Sequence, residues 1–364
     1  MKRMREKWHK SCIRVGRLAP AVLMLAALAS PAEAQTFNDA VSTNCPVVTS
    51  VCSPGTIVTS SGWPTALARE TSPVEERKVQ RLVGSLSLWL SGEYERFDKN
   101  LTTFEPAYKT NTGRVALGAD YAFFDHRLVV GGAFTYANIN GNFDSGGRLQ
   151  TGSYSPVLYA TFLPLPKFFI DTTAGYARKN YFLSRMIQST LGGNGTAAGD
   201  TDGNVFNLGV NSGYDFNFQN ITVGPRFGLD YKHTAIAGYR ERGDTGLELI
   251  YKNQTENSLT SVLGLYSSVA ISTSFGVLIP QSTVKYIHEF EDPQRRINFK
   301  FVGNPGAGPF TFQNDPPDRN YFDLGVGIVA VLPHELQPFI NYRALLGYNN
   351  QSSHIVTAGL RVAF

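Results

Sequence analysis

The sequence predicts an all-β protein, a twelve-stranded antiparallel transmembrane β-barrel behind a short N-terminal segment with room for a pore helix. Three observations predict it. From His354 to Phe364 the chain ends inside a strand, with Val356, Ala358, Leu360 and Val362 on one face and Thr357, Gly359 and Arg361 between them. A last strand ending flush with an aromatic side chain suits a cylinder closed by pairing its last strand with its first. The N-terminus carries an export signal, and the connections between strands sort into short turns and long loops.

Residues 1–34 read as a signal peptide. Lys2, Arg3, Arg5, Lys7, Lys10, Arg14 and Arg17 form a basic region, an apolar run from Leu18 to Ala29 follows, and Ala32-Glu33-Ala34 has the form of a cleavage site. The apolar run is shorter than the ~20 residues that a membrane helix needs. The peptide holds seven of the 33 basic and two of the 29 acidic residues, leaving the remainder near −1. That balance gives no reason to expect a nucleic-acid partner.

Residues 35–82 form a polar leader. Cys45 and Cys52 lie in it, and export to an oxidising space predicts a local disulfide between them. A metal pair is not expected, because no His or second Cys pair sits nearby. Pro73 to Leu82 could make two or three helical turns.

Residues 83–364 make the predicted barrel. Leu86, Leu88 and Leu90 alternate with Ser87, Trp89 and Ser91; Val115, Leu117, Ala119 and Tyr121 alternate with Arg114, Gly118 and Asp120. The same period of two marks strands near 128–136, 158–162, 168–176, 206–216, 221–231, 258–271, 276–290, 322–328, 336–347 and 353–364. Tight turns are expected at Asp125-His126, Leu163–Pro166, Gln219-Asn220, Ser272–Ser274 and Pro333–Glu335. Long hydrophilic loops are expected at 96–112, 138–151, 180–202, 234–257 and 291–319. A soluble sandwich has no reason to segregate its connections this way, whereas an outer-membrane barrel has short periplasmic turns and long external loops. In a barrel the polar alternates, Arg114, Asp120, Arg226, Asp230, Lys285 and Glu289, would line the lumen and the apolar set would meet lipid. Trp89, Tyr94, Tyr121, Phe162, Phe168, Phe169, Tyr231, Tyr321 and Phe364 could supply interfacial girdles.

From Leu86 to Phe364 the chain resembles the autotransporter β-domain, the translocator barrel of type V secretion. The stretches that carry the resemblance include Trp89-Leu90-Ser91-Gly92, Gly118-Ala119-Asp120-Tyr121, Gly213-Tyr214-Asp215-Phe216, Arg226-Phe227-Gly228-Leu229-Asp230-Tyr231, His288-Glu289-Phe290-Glu291-Asp292 and Gly359-Leu360-Arg361-Val362-Ala363-Phe364. The resemblance implies insertion into outer-membrane lipid by the barrel assembly machinery, which reads the aromatic-ended last strand, here Phe364, Val362 and Leu360. It also implies a pore helix leading to an exported N-terminal passenger. Only about 50 residues lie between the signal and the first strand, without repeats, so no large passenger is expected.

Candidate chemistry is sparse, and no cofactor is expected. Gly325-Val326-Gly327-Ile328-Val329-Ala330 matches a dinucleotide-binding spacing but lies inside an alternating strand, not at a strand-to-helix turn. His288-Glu289 lacks the second His of a zinc motif, since Asp occupies position 292. Asp318-Arg319 and Arg295-Arg296 could form an ion-paired latch between loops. The expectation is therefore a non-enzymatic, monomeric outer-membrane barrel with a translocator or structural and surface-interaction role. A passive solute pore is the alternative. A rim hydrolase using His233, Asp244, His288, Asp292, Asp315 or Asp318 is the second alternative.

Overall fold

The computed structural model describes residues 56–58, 64–66, 86–124, 126–188, 194–291 and 296–364. The expected signal peptide, the Cys45–Cys52 disulfide and the helix at 73–82 lie outside the described residues. Thr56–Val58 and Pro64–Ala66 pair as a small antiparallel hairpin.

The remainder is a closed antiparallel barrel of twelve strands. They are β1 (Leu86–Lys99), β2 (Tyr108–Phe123), β3 (Leu128–Phe143), β4 (Gly147–Leu165), β5 (Phe168–Gln188), β6 (Asn194–Tyr214), β7 (Ile221–Ile236), β8 (Gln254–Val269), β9 (Gly276–Glu289), β10 (Asn320–Val331), β11 (Leu336–Leu346) and β12 (Gln351–Ala363). Each strand pairs with its sequence neighbours, and β12 pairs with β1 to close the cylinder. At that seam Leu360 lies opposite Leu90 and Val362 opposite Leu88. The Phe364 N–H donates to the Leu86 carbonyl at 2.9 Å. Closure leaves no edge strand, the condition for a sheet to sit in hydrocarbon without unpaired backbone groups.

The two faces of the wall differ as lipid and lumen require. Leu88, Leu90, Val115, Leu117, Val130, Phe134, Leu158, Phe162, Leu208, Val210, Phe227, Leu229, Leu263 and Leu265 all point outward and are exposed, Leu158 by 69%. In water so broad an apolar surface would aggregate; around a barrel it is the lipid-facing band.

Inside, two large side chains lie flat against the wall where a neighbouring strand offers glycine. The Trp89 ring covers Gly118, its cross-strand partner, and the Tyr159 ring covers Gly131 in the same way. A Cβ on Gly131 would stand 2.2 Å from the Tyr159 ring. Gly131→Val should therefore displace Tyr159 and destabilise the barrel by about 1–3 kcal/mol, the usual cost of overpacking. Urea titration of the folded band on unheated gels measures it, and an unchanged midpoint would show that the ring has another place to go.

The strands run much further than their lipid-facing pattern suggested. The loops expected at 96–112, 138–151 and 180–202 are largely strand: β1 continues to Lys99, β3 and β4 meet at a turn near 144–146, and β5 and β6 run to Gln188 and from Asn194. The reason is a reversal of polarity along the strand. On β3 the outward positions are Val130, Phe134 and Tyr136, then Asn138, Asn140 and Asn142; the inward ones become Ala137, Ile139 and Phe143, all buried. Beyond the membrane this strand is polar outside and apolar inside, like a strand of a soluble barrel. The connections expected at 234–257 and 291–319 remain long.

The aromatic assignments also need correction. Trp89, Phe169 and Tyr321 face inward and are buried, so they belong to the lumen and not to a girdle. Tyr94, Tyr121, Phe162, Tyr231 and Phe364 face outward and are exposed.

Candidate functional site

The lumen is built from the polar alternates. Arg114, Asp120, Arg226 and Lys285 are buried on the inner face, with Glu289 at its outer end; Asp230 is half-buried on the same face. They divide into separate networks. At the seam, Arg361 of β12 donates through Nη1 and Nη2 to both oxygens of Asp120 on β2, at 2.8 and 2.6 Å. Tyr159 Oη donates to Asp120 at 3.1 Å and accepts from Trp89 Nε1 at 2.8 Å. Further outward, Arg114 pairs with Glu93 and, at 3.2 Å, with Glu95; Thr357 and Ser353 of β12 donate to the same carboxylates. Across the barrel, Arg226 pairs with Asp215, and its guanidinium lies 4.9 Å from the ring centres of both Phe169 and Tyr266. Planar guanidinium suits this double demand for a forked partner and an aromatic face.

The two long loops pack over the outer mouth. Tyr239–Arg240, Leu249–Tyr251, Arg296–Phe301 and Phe310–Gln313 form a four-stranded antiparallel sheet. Its Tyr239, Leu249, Tyr251, Ile297 and Phe299 pack in one buried cluster with the inward apolar residues of the extended wall, among them Phe97, Tyr108, Phe143, Leu149, Tyr181 and Leu183. Tyr239 stacks on Tyr251 at 4.7 Å and Phe299 on Phe310 at 5.7 Å. Burial pushes the Tyr239 and Tyr251 hydroxyls well above the ordinary phenol range, so both stay neutral.

Two polar clasps fix this cap. Arg185 of β5 donates to both oxygens of Glu241, at 2.8 and 2.7 Å, and to the Leu247 carbonyl. Ala198 of β6 and Arg242 exchange backbone hydrogen bonds in both directions. On the other side Lys99, at the end of β1, lies 2.8 Å from both Glu105 and Asp315. Thr102 Oγ1 donates to Asp315 as well. Asp318, expected in a latch with Arg319, Arg295 and Arg296, accepts from the Asn349 N–H and side-chain amide; Arg295 lies outside the described residues.

The Lys99 clasp should respond to pH. Burial pushes the Glu105 carboxyl up to about 7; Lys99 opposes the shift and Asp315 reinforces it. A detached Glu105 has the ordinary value, 4.5. Between those values the closed clasp binds more protons than the open one, so its stability falls as pH rises from about 4.5 to 7 and is level above. Hydrogen exchange at the Thr102 and Glu105 amides, corrected for intrinsic rate, should show that trend. Glu105→Gln should abolish it.

The rim residues considered for hydrolysis do not converge on one point among the described residues. His233 and His288 lie on the outward face, hydrogen-bonded to Asn257 and Asn320. Asp315 belongs to the Lys99 clasp and Asp318 to Asn349, while Asp292 lies outside the described residues. No group of metal-ligating side chains occurs among the described residues. Gly325 and Gly327 sit mid-strand in β10 beneath Thr283 and Asn341, not at a strand-to-helix turn that could receive a pyrophosphate.

A closed twelve-stranded cylinder with an apolar exterior and an ion-paired lumen is an outer-membrane β-barrel. The chain belongs to the autotransporter β-domain family, whose pattern it matches over residues 88–343. It is 25% identical to Outer membrane protein A of Rickettsia rickettsii over 71% of its own length, and spans 12% of that relative. The translocator domain of autotransporter NalP from Neisseria meningitidis superposes with a TM-score of 0.63 at 15% identity, covering 77% of this chain and 89% of that one. The β-domain of the Bordetella autotransporter BrkA does so at 0.56 and 18% identity, covering 77% and 100%. The protein is therefore an outer-membrane protein that meets lipid through its strands.

Proposed function

We propose that the protein is an outer-membrane anchor and translocator barrel whose surface loops hold its mouth shut at rest. The loop sheet packed against the inward apolar ring of the extended wall carries this reading. An open solute pore needs a wet, polar constriction; here the outer end of the lumen is lined by aromatic and aliphatic side chains and filled by loop residues. We assign no enzymatic role, since His233, His288, Asp315 and Asp318 serve hydrogen bonds within the wall and loops. The outward edge of the last strand, Phe364, Val362 and Leu360, is the surface offered to the assembly machinery, and the barrel works as a monomer. Signal cleavage after Ala34 and a disulfide between Cys45 and Cys52 complete the proposal.

Planar-bilayer recordings test the closed mouth. The full chain should show little steady conductance, whereas excision of residues 296–313, bridged by a short Gly/Ser linker, should open a stable ohmic channel. A large steady current from the intact chain would favour the solute pore. A tag beside Cys45 tests translocation separately: surface labelling of intact cells supports it, and purely periplasmic tag refutes it.

A further inference from the structure

On the outer wall one arrangement recurs from hairpin to hairpin. Tyr94 donates to Asn111, Tyr176 to Asn204, Tyr231 to Asn257 and Tyr286 to Asn320, each across to the next strand. Tyr342 shares a 2.8 Å hydrogen bond with His354, and the Tyr136 ring lies 5.1 Å from Tyr154. Every hairpin that opens toward the loop side thus carries an outward tyrosine at this level, with Phe182, Phe290 and Leu346 exposed further out. The row perpendicular to the strands through Tyr94 meets β5 at Asn180, beyond Tyr176. The row through Tyr176 meets β7 at His233, beyond Tyr231. That stagger is what strands tilted by about 35–45° need to hold a belt at one height.

Two residues further out on the same face stands a cationic or ionisable group. It is Arg96 after Tyr94, Arg178 after Tyr176, His233 after Tyr231 and His288 after Tyr286; His354 lies beside Tyr342 and directly opposite Arg96 across the seam. On β3 the corresponding position is Asn138. Arg96 and Arg178 are each 56% exposed. Two residues along a strand span about 6.7 Å, or roughly 5 Å along the membrane normal at that tilt. Interfacial tyrosines mark the level where hydrocarbon gives way to headgroups, so these groups reach the phosphate layer above it.

The chemistry of the sites agrees. His233 and His288 each place Nδ1 against an asparagine Oδ1, at 2.7 and 2.8 Å. An amide oxygen only accepts, so Nδ1 carries the proton, and Nε2 on the far side of the ring donates to a phosphate only in the imidazolium form. Arg96 and Arg178 are held by Asp98 and Asp202 at 3.1 and 3.0 Å, and Lys109 lies 3.9 Å from Asp98. Such exposed pairs contribute little, and a phosphate can take the forked guanidinium in their place.

We propose that Arg96, Arg178, His233, His288 and His354 form a collar of anion sites that holds the phosphate groups of lipid headgroups in the leaflet on the loop side. The collar anchors the barrel's height in the membrane and needs nothing from the state of its mouth. Retention of lipid by the detergent-folded full chain, read by native mass spectrometry, tests it. The probes are bisphosphorylated lipid A and the same lipid dephosphorylated. The wild-type chain should retain the phosphorylated lipid at least tenfold better. A variant with Arg96→Gln, Arg178→Gln, His233→Gln, His288→Gln and His354→Gln should bring the ratio to within twofold. If that variant does not fold, Arg96→Gln with His354→Gln, adjacent at the seam, should lower the ratio two- to fivefold. Lys167→Gln, on the opposite rim, should leave it unchanged. Equal retention of the two lipids by the wild-type chain, or an unaltered ratio in folded variants, overturns the proposal. So does equal occupancy by inorganic phosphate without lipid, which would make these free-anion sites.

Discussion

Arg361→Ala should lower the stability of the folded barrel by about 3–5 kcal/mol, the range for removing one partner from a buried ion pair. Arg361 is fully buried and its partner Asp120 is 3% exposed, so the substitution leaves a carboxylate without its counter-ion in the lumen wall. The pair reaches from β12 past β1 to β2, and through Tyr159 to β4 and back to Trp89 on β1. It therefore ties the closing seam on the lumen side while backbone pairing ties it within the wall. The midpoint of urea unfolding, read as loss of the compact band on unheated gels, is the measurement. Asp120→Ala should cost a similar amount. The pair Arg361→Met with Asp120→Leu should recover much of the loss, because no unpaired charge remains. A shift within about 0.5 kcal/mol for Arg361→Ala, typical of a surface position, would sink the idea.

The seam and the membrane-spanning half of the wall were legible in the sequence because one rule governs them: apolar outward, polar or glycine inward. Val356, Leu360 and Val362 obey it, as do Leu86, Leu88 and Leu90 on β1 and Phe206, Leu208 and Val210 on β6. The outer half was not legible by the same rule because the solvent changes there. Asn138, Asn140 and Asn142 look like a loop if apolar side chains are expected to point outward. Yet Ala137, Ile139 and Phe143 keep the period of two on the opposite parity. The alternation never stops; only the side that holds the apolar residues changes, where water replaces lipid outside and loop residues replace water inside.

The cap was hidden for a different reason. Its strands are two to six residues long and pair across loops far apart in sequence, Leu249 with Phe301 and Phe299 with Tyr251. Such short runs carry no readable period, and their partners are set by tertiary contact. A faint signal existed in composition, since 239–251 and 297–312 are rich in Tyr and Phe for hydrophilic loops. Trp89, Phe169 and Tyr321 misled in the opposite sense. Aromatic identity suggested a girdle, but each sits on the inward parity of its strand, which counting from the neighbouring lipid-facing residues would have shown.

Arg185→Ala should open the mouth. Arg185 is 3% exposed and joins the wall to the cap through Glu241 and the Leu247 carbonyl; Glu241 also accepts from the Leu249 N–H at 2.8 Å. Without the guanidinium, Glu241 must stay buried and unpaired in the closed cap or carry its loop out to water. The closed state then loses about 3–5 kcal/mol relative to the open one. At tenfold per roughly 1.4 kcal/mol, the open fraction rises by roughly two to three orders of magnitude until it saturates. Single-channel recording should show frequent openings absent from the wild-type chain, with barrel unfolding little changed, because strand pairing among β1 to β12 is untouched. Glu241→Gln should flicker less than Arg185→Ala, since a neutral amide can stay buried at lower cost. Combining Arg185→Ala with Glu241→Ala should add little to Arg185→Ala alone, as expected for two halves of one clasp. A barrel that unfolds as a whole in Arg185→Ala would instead mean that the cap is part of the wall's own core, with no independent motion.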